Sequence, residues 1–509
     1  MLLCFCASVS PVAQSRRALR RSFATAAPHA QRAHARVAAA RRLRLPFSPR
    51  GARPARAMKP LSVVAAGGAP PPPAGGAAGE DAKGVSAWPL VTAVCALGIF
   101  VAYADRSNIS TAVLSMAPEF GWSKTFEGVV LSSFFIGYSA TQLLGGQLAD
   151  RFGGKPVLAA GLAAWSAATF ITPLAARAGA PQLLLARVAL GLGEGVAFPA
   201  VHAVIARNVP QRKQSTAVGA VTAASYCGAA MAFLLVPTVI ENFGWAASFE
   251  GFGAAALLWL PLWLPLRLAP PAPLPARATP LPWRAEAAAA WAELSPLLRT
   301  RPVLALCAAQ YCGSYGLYGL ISWLPTFFSE QYGVALADLP ALTVAPYLLQ
   351  GAVGLAAGGA ADALLAAGVP RLAVRRRMQA AGMLLPAMAL VAAASPAAAG
   401  SPAAGAALVD IGLAASALTL AGVSVNHLDV APRHAGAVFG AGNTAATLAG
   451  LVAVPLTGAV LDATGSWVIV FGLTAAHYVV GAAVFWTWAA AEPLPEDGAI
   501  VDRDEATAL

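Results

Sequence analysis

Arg187, Gly191, Glu194 and Phe198 fall at i, i+4, i+7 and i+11 in an otherwise apolar stretch, so they share one face of a helix. Arg187 and Glu194 then lie about 10.5 Å apart along the axis. That is long for a direct ion pair and suits a cation and an acid bracketing a cavity. A charge in hydrocarbon costs at least ~2.5 kcal/mol, so it faces a partner or a water-filled path. The pattern points to an anion contact for Arg187 and a coupling or gating role for Glu194, with a structural polar network as the alternative. Asp105-Arg106-Ser107-Asn108 places a second arginine deep in another apolar run. Arg106 either contacts an anion or snorkels to the far interface. Asp105 cannot face the same way as its neighbour and is expected to pair elsewhere, as a coupling or gating group. Tyr138 and Gln142, one turn apart, can hydrogen-bond an oxyanion or join helices. Tyr311, Tyr315 and Tyr318 form a stripe whose hydroxyls can line a cavity; Tyr315 and Tyr318 are the substrate-contact candidates, against plain packing. Asn443, on a small-residue face with Gly436 and Gly440, reads as a substrate or gate contact. His202 is a proton shuttle or a satisfied polar group.

These residues need helices that span a membrane. The chain is 58% hydrophobic and 11% charged over 509 residues, which leaves too few polar groups to coat soluble domains. A helix needs about 20 apolar residues to cross hydrocarbon. Twelve such spans are predicted, near 89–114, 126–148, 156–176, 181–206, 215–239, 246–266, 302–327, 339–362, 377–396, 404–426, 434–460 and 467–490. With both ends of the chain on one side, the loops facing that side carry fifteen Lys and Arg against two, Lys124 and Arg177, on the other, a strong positive-inside bias. Gly146-x-x-Ala149-Asp150 recurs as Gly358-x-x-Ala361-Asp362, a weak internal repeat. The fold class is therefore an all-α membrane protein: twelve transmembrane helices in two pseudo-symmetric six-helix bundles, 88–266 and 302–490, around a midplane site. A Pro-rich central loop, 267–301, divides them; Ala285 to Leu294 reads as a short surface helix, and 491–509 as a polar tail.

The net charge of +11 belongs to the N-terminus. Residues 1–60 hold twelve Arg and one Lys, and the rest of the chain has 21 basic against 23 acidic residues. A nucleic-acid partner is thereby disfavoured. Residues 1–65 read as an organelle transit peptide, rich in Arg, Ala and Ser, and 66–87 as a Pro/Gly/Ala linker. Val63-Val64-Ala65 resembles the cleavage sites of algal plastid proteins. A plastid envelope or thylakoid membrane is expected, with the mitochondrial inner membrane as alternative. No Walker loop, GxSxG or HExxH occurs, and the cysteines lack metal-ligand spacing. Neither catalysis, metal nor cofactor is expected. The partners are a small anion, a coupling ion (Na⁺ or H⁺) and membrane lipid, with the chain a monomer.

Gly146-Gln147-Leu148-Ala149-Asp150-Arg151-Phe152-Gly153-Gly154-Lys155 resembles the loop between helices 2 and 3 of the major facilitators. Asp150 and Arg151, at a membrane edge, read as state-controlling groups that act through charge pairs and helix-end dipoles, and Asp362 as their second-half counterpart. Arg187-x3-Gly191-x2-Glu194-Gly195-x2-Phe198-Pro199, Ser322-Trp323-Leu324-Pro325-Thr326-Phe327, Asn426 to Arg433, and Phe439-Gly440-x2-Asn443-Thr444 resemble the anion:cation symporter branch. The likeness is greatest to plant plastid sodium-dependent phosphate transporters. The resemblance implies a secondary-active carrier of a small anion, inorganic phosphate first and an organic anion such as ascorbate second. It also implies that Arg106, Arg187 and Glu194 serve anion recognition and ion coupling. Leu131 stands where the glutamate carriers have a His, and span 7 lacks an Arg within it; both disfavour a dicarboxylate. Two other classes remain as alternatives: a membrane-embedded enzyme and a transport-dead receptor.

Overall fold

The computed structural model describes residues 87–269 and 291–497, apart from 293, 396, 397 and 399 and the side chains of 143, 150, 211, 212, 215 and 496. The expected transit peptide, nearly all of the linker, most of the central loop with the greater part of its expected surface helix, and the end of the tail lie outside the described residues; 291, 292 and 294 of that helix are described and helical. Long runs of Ala, Leu, Val and Gly form helices here because a helix satisfies every backbone N–H and C=O within the segment, as hydrocarbon demands.

Among the described residues the helices group into twelve rods. They are α1 (Trp88–Phe120), α2 (Lys124–Phe152), α3 (Gly154–Ala178), α4 (Ala180–Glu194, resuming at Ala197–Asn208), α5 (Gln211–Phe243) and α6 (Trp245–Leu257, resuming at Leu260–Trp263). The second six are α7 (Arg301–Tyr332), α8 (Ala345–Ala366), α9 (Arg371–Ala393), α10 (Pro402–Ser416, then a tighter turn and Val423–Val430), α11 (Ala435–Thr464) and α12 (Trp467–Trp488). Eight of these segments are long and apolar enough to cross a membrane by length and composition. Large apolar side chains such as Leu174, Phe243 and Leu258 stand exposed on the outside, as expected where lipid is the solvent.

The packing repeats after six rods. In the first half α1 packs on α5, α4 on both α2 and α3, and α3 on α6; in the second, α7 packs on α11, α10 on both α8 and α9, and α9 on α12. Between the halves α2 lies against α11 and, reciprocally, α8 against α5, with α1 touching α7 at the pseudo-twofold. The halves also break at the same rod. α4 is interrupted after Glu194, and α10 at Gly422, where Gln379 Oε1 accepts the Val423 N–H at 2.9 Å. Such interruptions persist in a membrane only where the freed backbone finds partners inside the protein.

α2 and α4 approach backbone to backbone. A side chain on Gly191 would overlap the Phe134 carbonyl, and one on Gly137 the Val188 carbonyl. Small residues at such a seam replace the hydrophobic drive that lipid removes. Gly191→Val is expected to cost about 2–3 kcal/mol by overpacking, read as a lowered melting temperature in detergent.

Two sequence expectations change. His427 and Asp429, beyond the predicted end of the tenth span near 426, lie in the last helical piece of α10, and Asp429 accepts from Arg375 Nε at 2.7 Å. The apolar pattern ended too early there, because Asp429 is satisfied inside the protein by Arg371 and Arg375 of α9 and His427 packs on Phe439. The tail is also not free throughout. The Leu494 N–H donates to the Val430 carbonyl at 2.9 Å, and buried Asp497 accepts the N–H groups of Arg433 and His434, both at 3.1 Å, at the start of α11.

Candidate functional site

Arg106 and Glu194 meet across the first bundle. The guanidinium donates from Nε at 3.1 Å and Nη2 at 2.9 Å to one oxygen, Glu194 Oε2. Both residues are buried, 6% and 1% exposed, so the pair depends on its geometry to offset desolvation. Three rings add to it. The guanidinium carbon lies 4.7 Å from the Tyr103 ring centre, 4.4 Å from Phe134 and 4.6 Å from Tyr138, within cation–π range. Arg106 is thus held inward and does not snorkel. Its Nη1 and the second oxygen of Glu194 are buried without a partner.

Arg187 is the opposite case. It is 1% exposed, and its Nε and Nη1 have no partner. The nearest ring, Phe134, is 5.8 Å from its guanidinium carbon. The Phe134 ring is 4.4 Å from the Arg106 guanidinium carbon and 5.8 Å from that of Arg187, and the two groups leave three buried nitrogens without a partner. The acid that sequence spacing separated from Arg187 is taken by Arg106, a pairing between helices that spacing within one helix cannot reveal.

The remaining candidates divide. Gln142 Nε2 lies 3.4 Å from the Tyr138 hydroxyl, and Gln142 Oε1 accepts from Thr447 on α11 at 3.1 Å. This pair faces the seam between bundles and bridges it. Tyr318 reaches the same seam, with its ring 4.6 Å from Phe135. Tyr315 does not join them: it stacks on His477 of α12 at 3.7 Å, beside Ala449 and Ala453. Asn443 is half-buried and offers only its carbonyl, which accepts from Thr447 at 3.0 Å. Asp105, expected to pair elsewhere, is 1% exposed with both carboxylate oxygens unpartnered. His202 packs edge-on to Phe198. Thr447, Tyr103 and Phe134 were not singled out by sequence. Their types are too common in helices, although Tyr103 and Phe134 sit one turn from recognised residues.

The state-controlling candidates lie at the basic edge. Asp150's side chain is outside the described residues. Arg151 is exposed over Phe152, and Asp362 is exposed with no partner among the described residues. Lys155 of the same loop does hold structure: its ammonium donates to the carbonyls of Leu264 at 2.7 Å and Leu266 at 2.5 Å, closing the end of α6, where a cation meets the negative end of a helix.

The opposite edge carries a lock that sequence did not suggest. Asp462, near the end of α11, accepts the first N–H groups of α2, from Lys124 at 2.9 Å and Thr125 at 2.7 Å. Lys124 in turn binds Glu127 at 2.7 Å and Glu330 at the end of α7 at 2.8 Å. One bundle therefore caps a helix of the other, and the carrier is closed on that side. Asp462→Ala removes the cap, worth about 1 kcal/mol. It is expected to raise the population open on that side about fivefold, read by spin-label distances between the ends of α1 and α7.

Two bundles related by a six-rod repeat, bridged by Gln142 and Thr447 and latched at one edge, have the architecture of a membrane carrier. The chain belongs to the Major Facilitator Superfamily, whose family model matches residues 95–454; it is a membrane transporter and not an enzyme. Its relatives include "Probable anion transporter 4, chloroplastic" of Oryza sativa subsp. japonica, 34% identical over 80% of this chain and 69% of that one. Two from Arabidopsis thaliana are "Ascorbate transporter, chloroplastic", 33% identical over 80% and 75%, and "Sodium-dependent phosphate transport protein 1, chloroplastic", 34% identical over 78% of each. Among solved structures, a bacterial homologue of the lysosomal transporter Spinster, inward-facing and occupied, shares the fold with a TM-score of 0.64 at 18% identity. It covers 78% of this chain and 96% of that one.

Proposed function

We propose that the chain moves a small anion, inorganic phosphate, across a plastid membrane by alternating access, with Na⁺ or H⁺ as coupling ion. The observation that carries this reading is the set of three buried guanidinium nitrogens without partners, Arg106 Nη1 and Arg187 Nε and Nη1. Buried donors left unpaired cost about 1–3 kcal/mol each and more when charged. Arg187 makes no direct ion pair with either nearby acid, Glu194 or Asp105, so an anion supplies the hydrogen bonds the fold withholds. Guanidinium forks suit phosphate oxygens in particular.

Tyr138, Gln142 and Tyr318 fit as neutral hydrogen-bonding contacts, with Thr447 positioning Gln142 from the other bundle. Asn443 fits a gate position on α11 next to that bridge. Tyr315 fits a supporting place behind the site. Glu194 holds Arg106, and its release or protonation would free that guanidinium for the anion. Asp150, Arg151 and Asp362 would act on the basic side as the Asp462 lock acts on the other.

An ascorbate transporter and a sodium-dependent phosphate transporter among the relatives, at nearly equal identity, favour two substrates, phosphate and ascorbate. The compact donor set favours phosphate, since the Tyr103, Phe134 and Tyr138 rings are taken by the Arg106 guanidinium and are not open to the flat ring of ascorbate. Uptake of labelled phosphate and ascorbate into proteoliposomes, under imposed Na⁺ or pH gradients, tests the reading. Gradient-driven phosphate uptake, with ascorbate a weak competitor, supports it. Ascorbate uptake alone transfers the site to an organic anion, and uptake of neither overturns the anion reading.

A further inference from the structure

Lys124 and Glu127 lie three residues apart in the first turn of α2, at the edge opposite the basic loops. The second bundle brings two more acids to them, Glu330 near the end of α7 and Asp462 near the end of α11. Lys124 Nζ is divided between Glu127 Oε1 at 2.7 Å and Glu330 Oε1 at 2.8 Å, while Asp462 takes the backbone N–H groups of Lys124 and Thr125. Glu330 and Asp462 both act through space on Glu127, and Lys124 is the one cation that does so among the described residues. Arg177, the other basic residue of this edge, sits over Trp245 of α6. Three acids thus share one base. The positive end of α2 compensates Asp462, so Glu127 is the acid left short.

Glu127 is also the sealed one. Its side chain is 2% exposed against 35% for Glu330, and its Oε2 is buried with no hydrogen-bond partner. Beside it α2 and α11 meet backbone to backbone: a side chain on Gly128 would overlap Pro455, and one on Gly458 the Lys124 carbonyl. An ionised carboxylate oxygen out of water and without a donor is costly. A metal ion does not relieve that cost, because no three acids among the described residues stand close enough to hold one. A proton does. It neutralises the carboxyl, ends the repulsion from Glu330 and Asp462, and leaves Lys124 to Glu330. We propose that Glu127 is a proton-binding site within the lock, filled while the carrier is closed on this side and emptied as it opens.

Opening separates the bundles. Glu330 and Asp462 leave with the second, whereas Lys124 and Glu127 stay together on α2. Glu127 then has water and an undivided cation, and both favour its ionised form. The closed state therefore holds the proton more tightly. By linkage, a falling pH on this side favours closure and a rising pH favours opening. The site serves the movement of the bundles, whichever anion is carried.

The test is the spin-label distance between the ends of α1 and α7 on this edge, in the full-length carrier in nanodiscs with no phosphate or ascorbate. Between about pH 5.5 and about pH 8 the open-to-closed ratio is expected to rise at least about fivefold, within the limit of about tenfold per pH unit that one proton sets. Glu127→Gln, a neutral isostere, should remain closed and lose the response. Glu330→Gln, at a part-exposed position, frees Lys124 for Glu127 and should move the response to lower pH. A wild-type ratio that ignores pH or falls as pH rises overturns the proposal. So does a response retained in Glu127→Gln, or one left unshifted in Glu330→Gln. The anion reading is tested apart from this. Phosphate uptake in a carrier whose distances ignore pH removes the proton site and keeps the anion, and a pH response in a carrier that takes up neither anion does the reverse.

Discussion

Arg187→Leu is expected to lower phosphate uptake, as kcat/KM, by at least about a hundredfold, because truncating one partner of a buried charged hydrogen bond costs about 2–5 kcal/mol. The same variant is expected to melt no lower than the parent. Those opposite signs follow from one fact. Arg187 is a buried cation whose Nε and Nη1 bond to nothing in the protein. In the unloaded carrier it contributes a desolvation cost and no ion pair, so leucine relieves the cost while removing the anion contact. Arg187→Lys keeps the charge and loses the fork, and should fall between the two. Uptake in proteoliposomes and a melting curve on the same preparation check both halves. A variant that loses stability and activity together would mean that Arg187 holds the bundle and does not greet a solute.

Arg106→Leu should behave differently. Its guanidinium satisfies Glu194 Oε2 at 2.9 Å in a site where Glu194 is 1% exposed. Removing one partner of such a pair leaves an uncompensated buried charge and costs about 3–5 kcal/mol. Arg106→Leu is expected to fold poorly, with a melting temperature several degrees lower. Arg106→Leu/Glu194→Gln should recover most of that loss, since the double change removes the charge that was stranded. Both variants should be inactive in uptake. A double-mutant cycle on unfolding reads the coupling; additivity would show that the contact contributes nothing to the fold.

Sequence made the scaffold legible, and physics says why. Hydrocarbon allows only helices whose backbone is satisfied within the segment, so apolar length and loop charge reveal spans and sidedness with no further information. Buried charge was legible for the same reason: Arg106, Arg187, Glu194 and Asp105 stand out against a chain only 11% charged. Partner choice was not legible. Along α4, spacing set Glu194 too far from Arg187 for a direct ion pair but could not show its partner, which is Arg106, 88 residues away on another helix. Tyr315 and Tyr318 looked equivalent on a helical stripe, yet three residues turn one onto His477 and the other to the seam. Thr447 and the Asp462 lock were invisible because a threonine in a helix and an acid at a helix end are ordinary until the opposite bundle is in place.

The account stands on an anion held between Arg106 and Arg187. A high-resolution cryo-electron microscopy map of the wild-type carrier in nanodiscs, with saturating phosphate, tests this most directly. Density within hydrogen-bond distance of Arg187 Nε and Nη1 and of Arg106 Nη1, lost on adding excess unlabelled competitor that displaces bound phosphate, is the predicted result. Phosphate density elsewhere, or none while both guanidinium groups bond to protein or point at lipid, would contradict it.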